Sequence, residues 1–350
     1  MREQRRLFWF RRLALAGALL AAAVVVVGAW VRLTDAGLGC PDWPGCYGHI
    51  YPNAGGAQPP AGASVAHAGF GKALHEMLHR YFAGTLAIII FSLLLWAVIF
   101  RKDRGQPLVP VAMLFAVVCV QAALGALTVT LLLKPLIVTA HLLGGLTTLG
   151  LLWWLSLTPE TRQLTRQEAA LRKYAWAGLA ALILQIFLGG WTSTNYAAVA
   201  CPDLPTCQHS WWPRMDYRDA FVLWRGLKVD YEGGVLENPA RVAIHFTHRL
   251  GALAAGTILI SLGLLAAARA ASPALKRAGR LLVLAVVLQI SIGVATVHWG
   301  VPKPLATLHN AGAALLVIGI VTLLRALWPA PGGPAAATGM VPLHRAHSSP

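Results

Sequence analysis

Two stretches of this sequence repeat one another and decide how the chain is built. GAWVRLTDAGLGCPDWPGC covers residues 28–46, and GGWTSTNYAAVACPDLPTC covers residues 189–207. Each begins with Gly-x-Trp and ends with the frame Cys-Pro-Asp-x-Pro-x-Cys, at an offset of 161 residues. Two motifs at the same spacing in both halves indicate an internal duplication rather than a chance match.

The repeat continues downstream of both cysteine motifs, in the same order. The offset stays between 161 and 169 residues through three further pairs of segments: HEMLHR (75–80) with IHFTHR (244–249), QAALGALTV (121–129) with QISIGVATV (289–297), and KPLIVTAH (134–141) with KPLATLH (303–309). We therefore predict two similar units in one chain, related as parallel repeats by an axis roughly along the membrane normal.

Composition indicates that both units lie in a membrane. The chain is 57% hydrophobic and 12% charged, whereas soluble domains carry about 25% charged residues. Eight apolar runs are long enough to span a bilayer, which needs about 20 residues each: 13–31, 75–100, 108–130, 136–157, 173–194, 242–268, 278–299 and 304–328. The predicted fold class is all-α: a polytopic membrane protein with eight transmembrane helices as two repeated four-helix bundles.

The positions of the charged residues predict how the chain is oriented. Segments on one side of the spans, with their flanking helix ends, hold 18 of the 29 Lys and Arg but 4 of the 13 Asp and Glu. The other side holds 11 basic and 9 acidic residues, so the net charges are +14 and +2. The positive-inside rule then places both termini in the cytoplasm and both cysteine motifs outside. It also accounts for the net charge of +16 without a nucleic-acid partner.

These features give a predicted domain organisation in five parts. They are a basic cytoplasmic N-terminus (1–12), an N-terminal four-helix half (13–157), a cytoplasmic linker (158–172), a C-terminal four-helix half (173–328), and a cytoplasmic tail (329–350) that is expected to be disordered because it is rich in Pro, Gly and Ala. The run 13–31 also fits a signal peptide. Because it matches the span 173–194, we expect it to stay in the mature protein.

Four histidines occupy matched positions near the same ends of their spans: His79 matches His248, and His141 matches His309. Two imidazoles that face each other across a helical bundle can hold a haem iron. Interfacial hydrogen bonding is the alternative for a histidine at a helix end. A zinc or copper site is less suited, since it needs three or four clustered ligands. Four cations near these ends are candidate contacts for haem propionates: Arg80, Arg249, Lys134 and Lys303.

Glu76 breaks the symmetry between the halves. It precedes His79 by one helical turn, and its counterpart in the other half is His245. An ionisable group at membrane depth is costly and is a functional hypothesis by default. One interpretation is a carboxyl group beside a single haem pocket; the alternative is a carboxyl group in water above the hydrocarbon boundary.

The cysteine motifs have two interpretations as well. Cys40 and Cys46, like Cys201 and Cys207, are close enough in sequence to form a disulfide on the oxidising side. Each pair could brace a loop over the pocket or pass electrons as a redox-active pair. Cys119 lies in an apolar span and is expected to be inert core.

Six motifs together resemble the haem A synthase family, membrane enzymes of terminal-oxidase biogenesis. They are RLTDAGLGCPDWPGCYG, HEMLHR, TAHLLGG, VACPDLPTC, FTHR and TLHNAGA, and the resemblance covers roughly residues 13–328. It implies oxidation of the C8 methyl group of haem O to a formyl group by two successive hydroxylations.

The resemblance also implies roles for individual residues. His248 and His309 would bind a haem b cofactor, His79 and His141 would flank the substrate haem O, and Glu76 would be the catalytic carboxyl group. It implies a bacterial inner membrane, a haem O synthase as partner, and an electron donor that the sequence does not identify. A homo-oligomer is a further expectation.

Two other functional classes use the same residues. A di-haem membrane cytochrome b would need the four histidines but no role for Glu76. A membrane thiol–disulfide oxidoreductase would use the cysteines and leave the histidines unexplained. The pigment bound to the purified protein separates the three classes.

Overall fold

The computed structural model describes residues 2–51, 70–103, 105–159, 163–227 and 229–328, and in these ranges regular structure is helical. The predicted tail 329–350 lies outside them. Eight of the nine helices described are long and apolar enough to cross a membrane. The helices are α1 (Arg2–Leu33), α2 (Phe70–Ile99), α3 (Leu108–Thr130), α4 (Pro135–Ser156), α5 (Arg166–Thr194), the short α6 (Tyr217–Ala220), α7 (Asn238–Arg269), α8 (Pro273–His298) and α9 (Lys303–Ala326). The all-α membrane fold class is confirmed.

Seven of the eight long helices described begin earlier than the apolar runs predict, and α1 and α5 do so by the most residues. α1 starts at Arg2 instead of residue 13, and α5 starts at Arg166 instead of residue 173. Charged residues continue a helix readily once it leaves the apolar region, because Arg, Lys and Glu are good helix formers. In α5 the start is fixed by a capping box between Thr165 and Glu168.

Each set of four long helices packs as a closed ring. In the N-terminal half the neighbours are α1–α2, α2–α3, α3–α4 and α4–α1; in the C-terminal half they are α5–α7, α7–α8, α8–α9 and α9–α5. The halves meet through α1–α9, α4–α5 and α4–α9. Because α1 matches α5 and α4 matches α9, this is the contact pattern of two units related by an approximate two-fold axis.

One hydrogen bond marks that axis directly. The Trp153 indole in α4 donates to the Thr322 hydroxyl in α9 at 2.8 Å. The two residues are 169 positions apart, so they are repeat counterparts that contact each other. We call the end of the bundle that carries Cys40–Cys46 and Cys201–Cys207 the cysteine end.

Apolar side chains cover both the interior and much of the outside of the bundle. Leucines and isoleucines such as Ile90, Leu149 and Ile320 are fully buried, while Ile88 and Leu253 are exposed. This is expected of helices whose outer faces meet lipid. Cys119 lies on such an outer face of α3 and is exposed, so the prediction of a core cysteine was wrong.

Candidate active site

The structure brings His79 of α2 and His141 of α4 together near the cysteine end. Their ring centroids are 6.4 Å apart, and the ring planes are inclined by 79°. Two imidazoles that bind one metal ion at about 2 Å each place their centroids roughly 6 Å apart. The separation therefore fits two axial ligands of one iron.

His248 of α7 and His309 of α9 occupy the corresponding positions in the C-terminal half. A glutamine from a neighbouring helix contacts each of them. The Gln185 side-chain amide donates to the His248 carbonyl at 3.1 Å and lies 3.1 Å from His248 Nδ1. The Gln289 amide donates to the His309 carbonyl at 3.0 Å.

A glycine faces each of the four histidine rings. A methyl group built on the glycine would lie 2.8 to 3.5 Å from the Cε1 atom of the ring in the pairs Gly28–His79, Gly125–His141, Gly189–His248 and Gly293–His309. At 2.8 to 3.1 Å an added methyl group would crowd the rings of His79, His248 and His309, so glycine leaves room for these three rings. The 3.5 Å distance at His141 is an ordinary van der Waals contact.

Two further observations test whether this set fits a haem. The Nδ1 atoms of His79, His141 and His309 are buried without a hydrogen-bond partner among the described residues, and such atoms are uncommon unless a site uses the group. The described part of the chain contains no group of three His, Cys, Asp or Glu side chains placed to hold a metal ion. Two imidazoles without a third such ligand fit haem ligation better than a zinc or copper site.

Glu76 lies beside His79 but is removed from solvent, with only 5% of its surface exposed. Its Oε1 accepts a hydrogen bond from the Arg80 guanidinium, one turn along α2, and its Oε2 accepts from the backbone N–H of Cys40 at 2.8 Å. The burial contradicts the alternative of a carboxyl group in water. Both partners are donors, which suits an ionised carboxylate.

The matching position in the C-terminal half has different chemistry. His245 is 4% exposed, and its Nδ1 has no hydrogen-bond partner in the described ranges. Arg249, the counterpart of Arg80, donates to carbonyl oxygens of the second cysteine loop and, among the described residues, to no carboxylate. The two halves thus share paired histidines and a basic side chain but differ at the carboxyl group.

Both cysteine pairs form disulfides, with Cα separations of 4.8 Å for Cys40–Cys46 and 4.6 Å for Cys201–Cys207. All four cysteines are fully buried. Thiol–disulfide exchange needs access to sulfur, so the burial favours the bracing interpretation over the redox pair.

An aspartate shapes each of these loops. The Asp42 carboxylate accepts from the backbone N–H groups of Tyr47 and Gly48, and Asp203 accepts from those of Gln208 and His209. A hydrogen bond from the Thr206 hydroxyl lowers the pKa of Asp203 below its usual value. The repeated Cys-Pro-Asp is therefore explained by loop structure.

The two lysines predicted as propionate contacts lie in unlike surroundings. Lys134 is 1% exposed; its ammonium group lies 3.5 Å from the centroid of the Trp224 ring and donates to the Gly226 carbonyl. Lys303, its repeat counterpart, is exposed. The segment between α5 and α7 belongs to the C-terminal half, yet it covers Lys134 of the N-terminal half. A propionate role stays a prediction for all four cations.

Sequence reasoning missed the facing glycines and the glutamines. The repeat carried the signal for all of them except Gln185, because Gly28 matches Gly189, and Gln121 and Gly125 match Gln289 and Gly293. Gln185 has no such signal, since its counterpart is Val24. A lone glutamine in an apolar run was the only hint.

Comparison with known proteins gives a consistent result. The family model described as cytochrome oxidase assembly protein (COX15-CtaA) matches residues 11–321. The heme A synthase of Shewanella oneidensis is 38% identical over 335 residues, which cover 92% of this chain and 97% of that protein. That of Rhizorhabdus wittichii is 28% identical over 333 residues, covering 87% and 90%. The chain therefore belongs to the haem A synthase family of cytochrome oxidase assembly proteins.

Proposed function

We propose that this protein is a haem A synthase that oxidises the C8 methyl group of haem O to a formyl group. Haem O is the substrate and lies between His79 and His141, while haem b is the cofactor held by His248 and His309. The observation that carries the proposal is the buried Glu76 beside one histidine pair only. A carboxyl group at one site and an imidazole, His245, at the other give the two halves different tasks.

The reaction proceeds by two hydroxylations of the same carbon. In each, dioxygen accepts two electrons from the methyl carbon and two from a separate electron donor; one oxygen atom enters the C–H bond and the other leaves as water. The gem-diol that results loses water to leave the formyl group. Bound haem b supplies one-electron redox chemistry. Within the chain, the His79–His141 pair binds and orients haem O. The Glu76 carboxylate holds and transfers a proton beside the reacting methyl group, and burial excludes water from it.

Replacing Glu76 with Gln tests the catalytic assignment. The change keeps the shape of the side chain but removes the proton-accepting oxygen, so we expect formyl production to fall by roughly 100-fold or more. Because Glu76 lies in the other half, the haem b spectrum should be unchanged. Normal haem A production by the purified Glu76→Gln protein contradicts the role.

Replacing His248 with Ala tests the cofactor assignment. The variant should lose its bound haem b, measured by the absorption of the reduced protein, because one axial ligand is missing. His79→Ala is the matched change in the other half and should keep haem b. An unchanged reduced spectrum in His248→Ala overturns the assignment.

Identifying the extracted pigment separates this function from a di-haem cytochrome b. Haem O or haem A together with haem b supports the synthase, whereas two haem b groups per chain support the cytochrome.

We further propose that the protein lies in the bacterial inner membrane with both termini in the cytoplasm and the cysteine end in the periplasm. Haem O then comes from a haem O synthase, and electrons come from a separate donor.

A further inference from the structure

The Arg80 guanidinium donates hydrogen bonds from both of its terminal nitrogens. One of its nitrogens donates to Glu76 Oε1, and the other donates to the carbonyl oxygens of Asp42 at 2.9 Å and of Gly45 at 2.5 Å. These carbonyls lie inside the loop closed by Cys40 and Cys46. Arg80 therefore connects the carboxylate of Glu76 to the first cysteine loop.

The second oxygen of Glu76 is held by the same loop. Its Oε2 accepts from the backbone N–H of Cys40, which follows Gly39. Gly39 lies so close to α2 that an added methyl group would meet the backbone of Lys72 and Ala73 at 2.8 to 2.9 Å. This close approach, which requires glycine, is what brings the Cys40 N–H within reach of the carboxylate.

The disulfide keeps the loop in contact with α2. Cys40 and Cys46 pack on Ala73 and Met77, which flank Glu76 on the same helix. All four side chains are buried. The carboxylate therefore contacts donors on a rigid element, the arrangement that holds a catalytic group in place.

The second half provides an internal comparison. Arg249 donates to the carbonyls of Cys201 at 2.6 Å, Asp203 at 2.9 Å and Thr206 at 2.8 Å. Bonding between an arginine and a cysteine loop is thus common to both repeats. Within the part of the chain that the structure describes, the arginine also binds a carboxylate in the N-terminal half alone.

We propose that Arg80 is a positioning residue for Glu76, and that the Cys40–Cys46 loop is the support against which it acts. The proposal rests on the proposed function, in which Glu76 is the catalytic carboxyl group. It assigns the Arg80 donors to Glu76 and the loop rather than to a haem propionate. Lysine cannot replace Arg80, because a single ammonium group lacks the planar fork that bridges two acceptors.

Arg80→Lys tests this in the purified full-length protein. We expect the rate of formyl production at saturating haem O to fall by roughly 10- to 100-fold, since small misplacements of a catalytic group have such effects. Bound haem O per chain and the haem b spectrum should be retained, which shows that the protein is folded. A variant that loses haem O binding but keeps its maximal rate identifies Arg80 as a propionate contact and overturns the proposal.

Arg249→Lys is the matched control. It removes the same donors from the second loop, where Arg249 binds no carboxylate among the described residues, and so measures the effect of loosening a cysteine loop alone. The loss of rate in Arg80→Lys should exceed that in Arg249→Lys by about tenfold, the lower end of the range expected for a displaced catalytic group. Equal losses in the two variants contradict a role that acts through Glu76.

A double variant separates the positioning proposal from the proposed function. If Arg80 acts through Glu76, adding Arg80→Lys to Glu76→Gln should reduce the residual rate no further, because effects on one unit are not additive. A further tenfold loss contradicts positioning. Full activity of Glu76→Gln alone overturns the catalytic role of Glu76, whereas an inactive Glu76→Gln with a fully active Arg80→Lys overturns only the positioning role.

The disulfide supplies a second, independent measurement. Replacing Cys40 and Cys46 with Ser together should reduce the maximal rate while haem b is kept, because the loop no longer holds its carbonyls against Arg80. The Cys201 and Cys207 double Ser variant is the matched change in the other half and should affect the haem b signal first. An unchanged maximal rate in the Cys40 and Cys46 variant overturns the supporting role of the loop.

Discussion

At the scale of single residues, the sequence specifies the histidines and also the small residues that leave room for their rings. A methyl group on Gly189 would lie 3.1 Å from His248 Cε1, and one on Gly28 would lie 2.8 Å from His79 Cε1. Both glycines lie within long helices, where glycine costs about 1 kcal/mol relative to alanine. Helical preference therefore does not explain them, and contact with the rings does.

Substituting these glycines should damage one half at a time. Gly189→Val is expected to displace His248 and lower the haem b content, measured by the reduced absorption spectrum. Gly28→Val is expected to displace His79 and lower haem O binding while haem b is kept. If Gly189→Val binds haem b normally, the ring does not need the space that glycine leaves.

The same residues show where sequence reasoning reaches its limit. The four histidines and Glu76 could be selected because the repeat presents each position twice, so that a match and a mismatch are both visible. The loop partners of Arg80 could not be selected in this way, since they are backbone carbonyls and any residue type supplies a carbonyl. Gln185 has no matching polar residue, and only the folded helices reveal its contact with His248.

At the scale of helices, apolar length predicts the middle of every span and, in some helices, the ends as well. α3 was predicted at 108–130 and is observed at Leu108–Thr130, because lipid demands a continuous apolar helix there. α1 and α5 extend beyond their apolar runs, where caps and charged residues determine the ends. The four-residue α6 carries no periodic signal and was not predicted.

Glu168 shows how such a helix end is fixed. The side chain is fully buried; one oxygen accepts from the Thr165 N–H at 3.0 Å, and the other accepts from the N–H groups of Ala271 and Ser272 at 2.9 and 3.2 Å. One carboxylate thus joins the start of α5 to the turn between α7 and α8. It lies at the end of the bundle opposite the cysteines.

Glu168→Ala should therefore destabilise the protein without altering the active site. Leaving buried N–H groups unpaired costs about 1–3 kcal/mol, so the midpoint of thermal unfolding in detergent should fall. Glu237→Ala is the control, since Glu237 is exposed and its side chain caps no helix in the described structure. An unchanged midpoint in Glu168→Ala, or a lost haem b signal at low temperature, contradicts this role.

At the scale of the whole molecule, repeat counterparts meet at the cysteine end. Arg32 donates to the carbonyl of Ser193, its counterpart, at 2.7 Å, and to the Tyr196 hydroxyl at 3.0 Å. The Tyr196 hydroxyl in turn donates to Asp35, its own counterpart, at 3.0 Å. Arg32 and Ser193 each lie four residues beyond a glycine that faces a histidine. The network therefore joins the halves about one helical turn from both histidine pairs.

This network predicts how the contact between the halves depends on pH. Burial raises the pKa of Tyr196 above its usual value, which is about 10 in model peptides. The folded protein holds this proton more tightly than the unfolded chain, so Tyr196 stabilises it fully below about pH 10 and loses that contribution as pH rises further. The midpoint of thermal unfolding should therefore fall above about pH 10, and Tyr196→Phe should remove that part of the fall because it has no phenol to titrate.

Tyr217→Phe is the control, since Tyr217 is exposed and lies on α6 away from the interface. If Tyr196→Phe and the unchanged protein lose stability equally over this pH range, the phenol does not hold the two halves together.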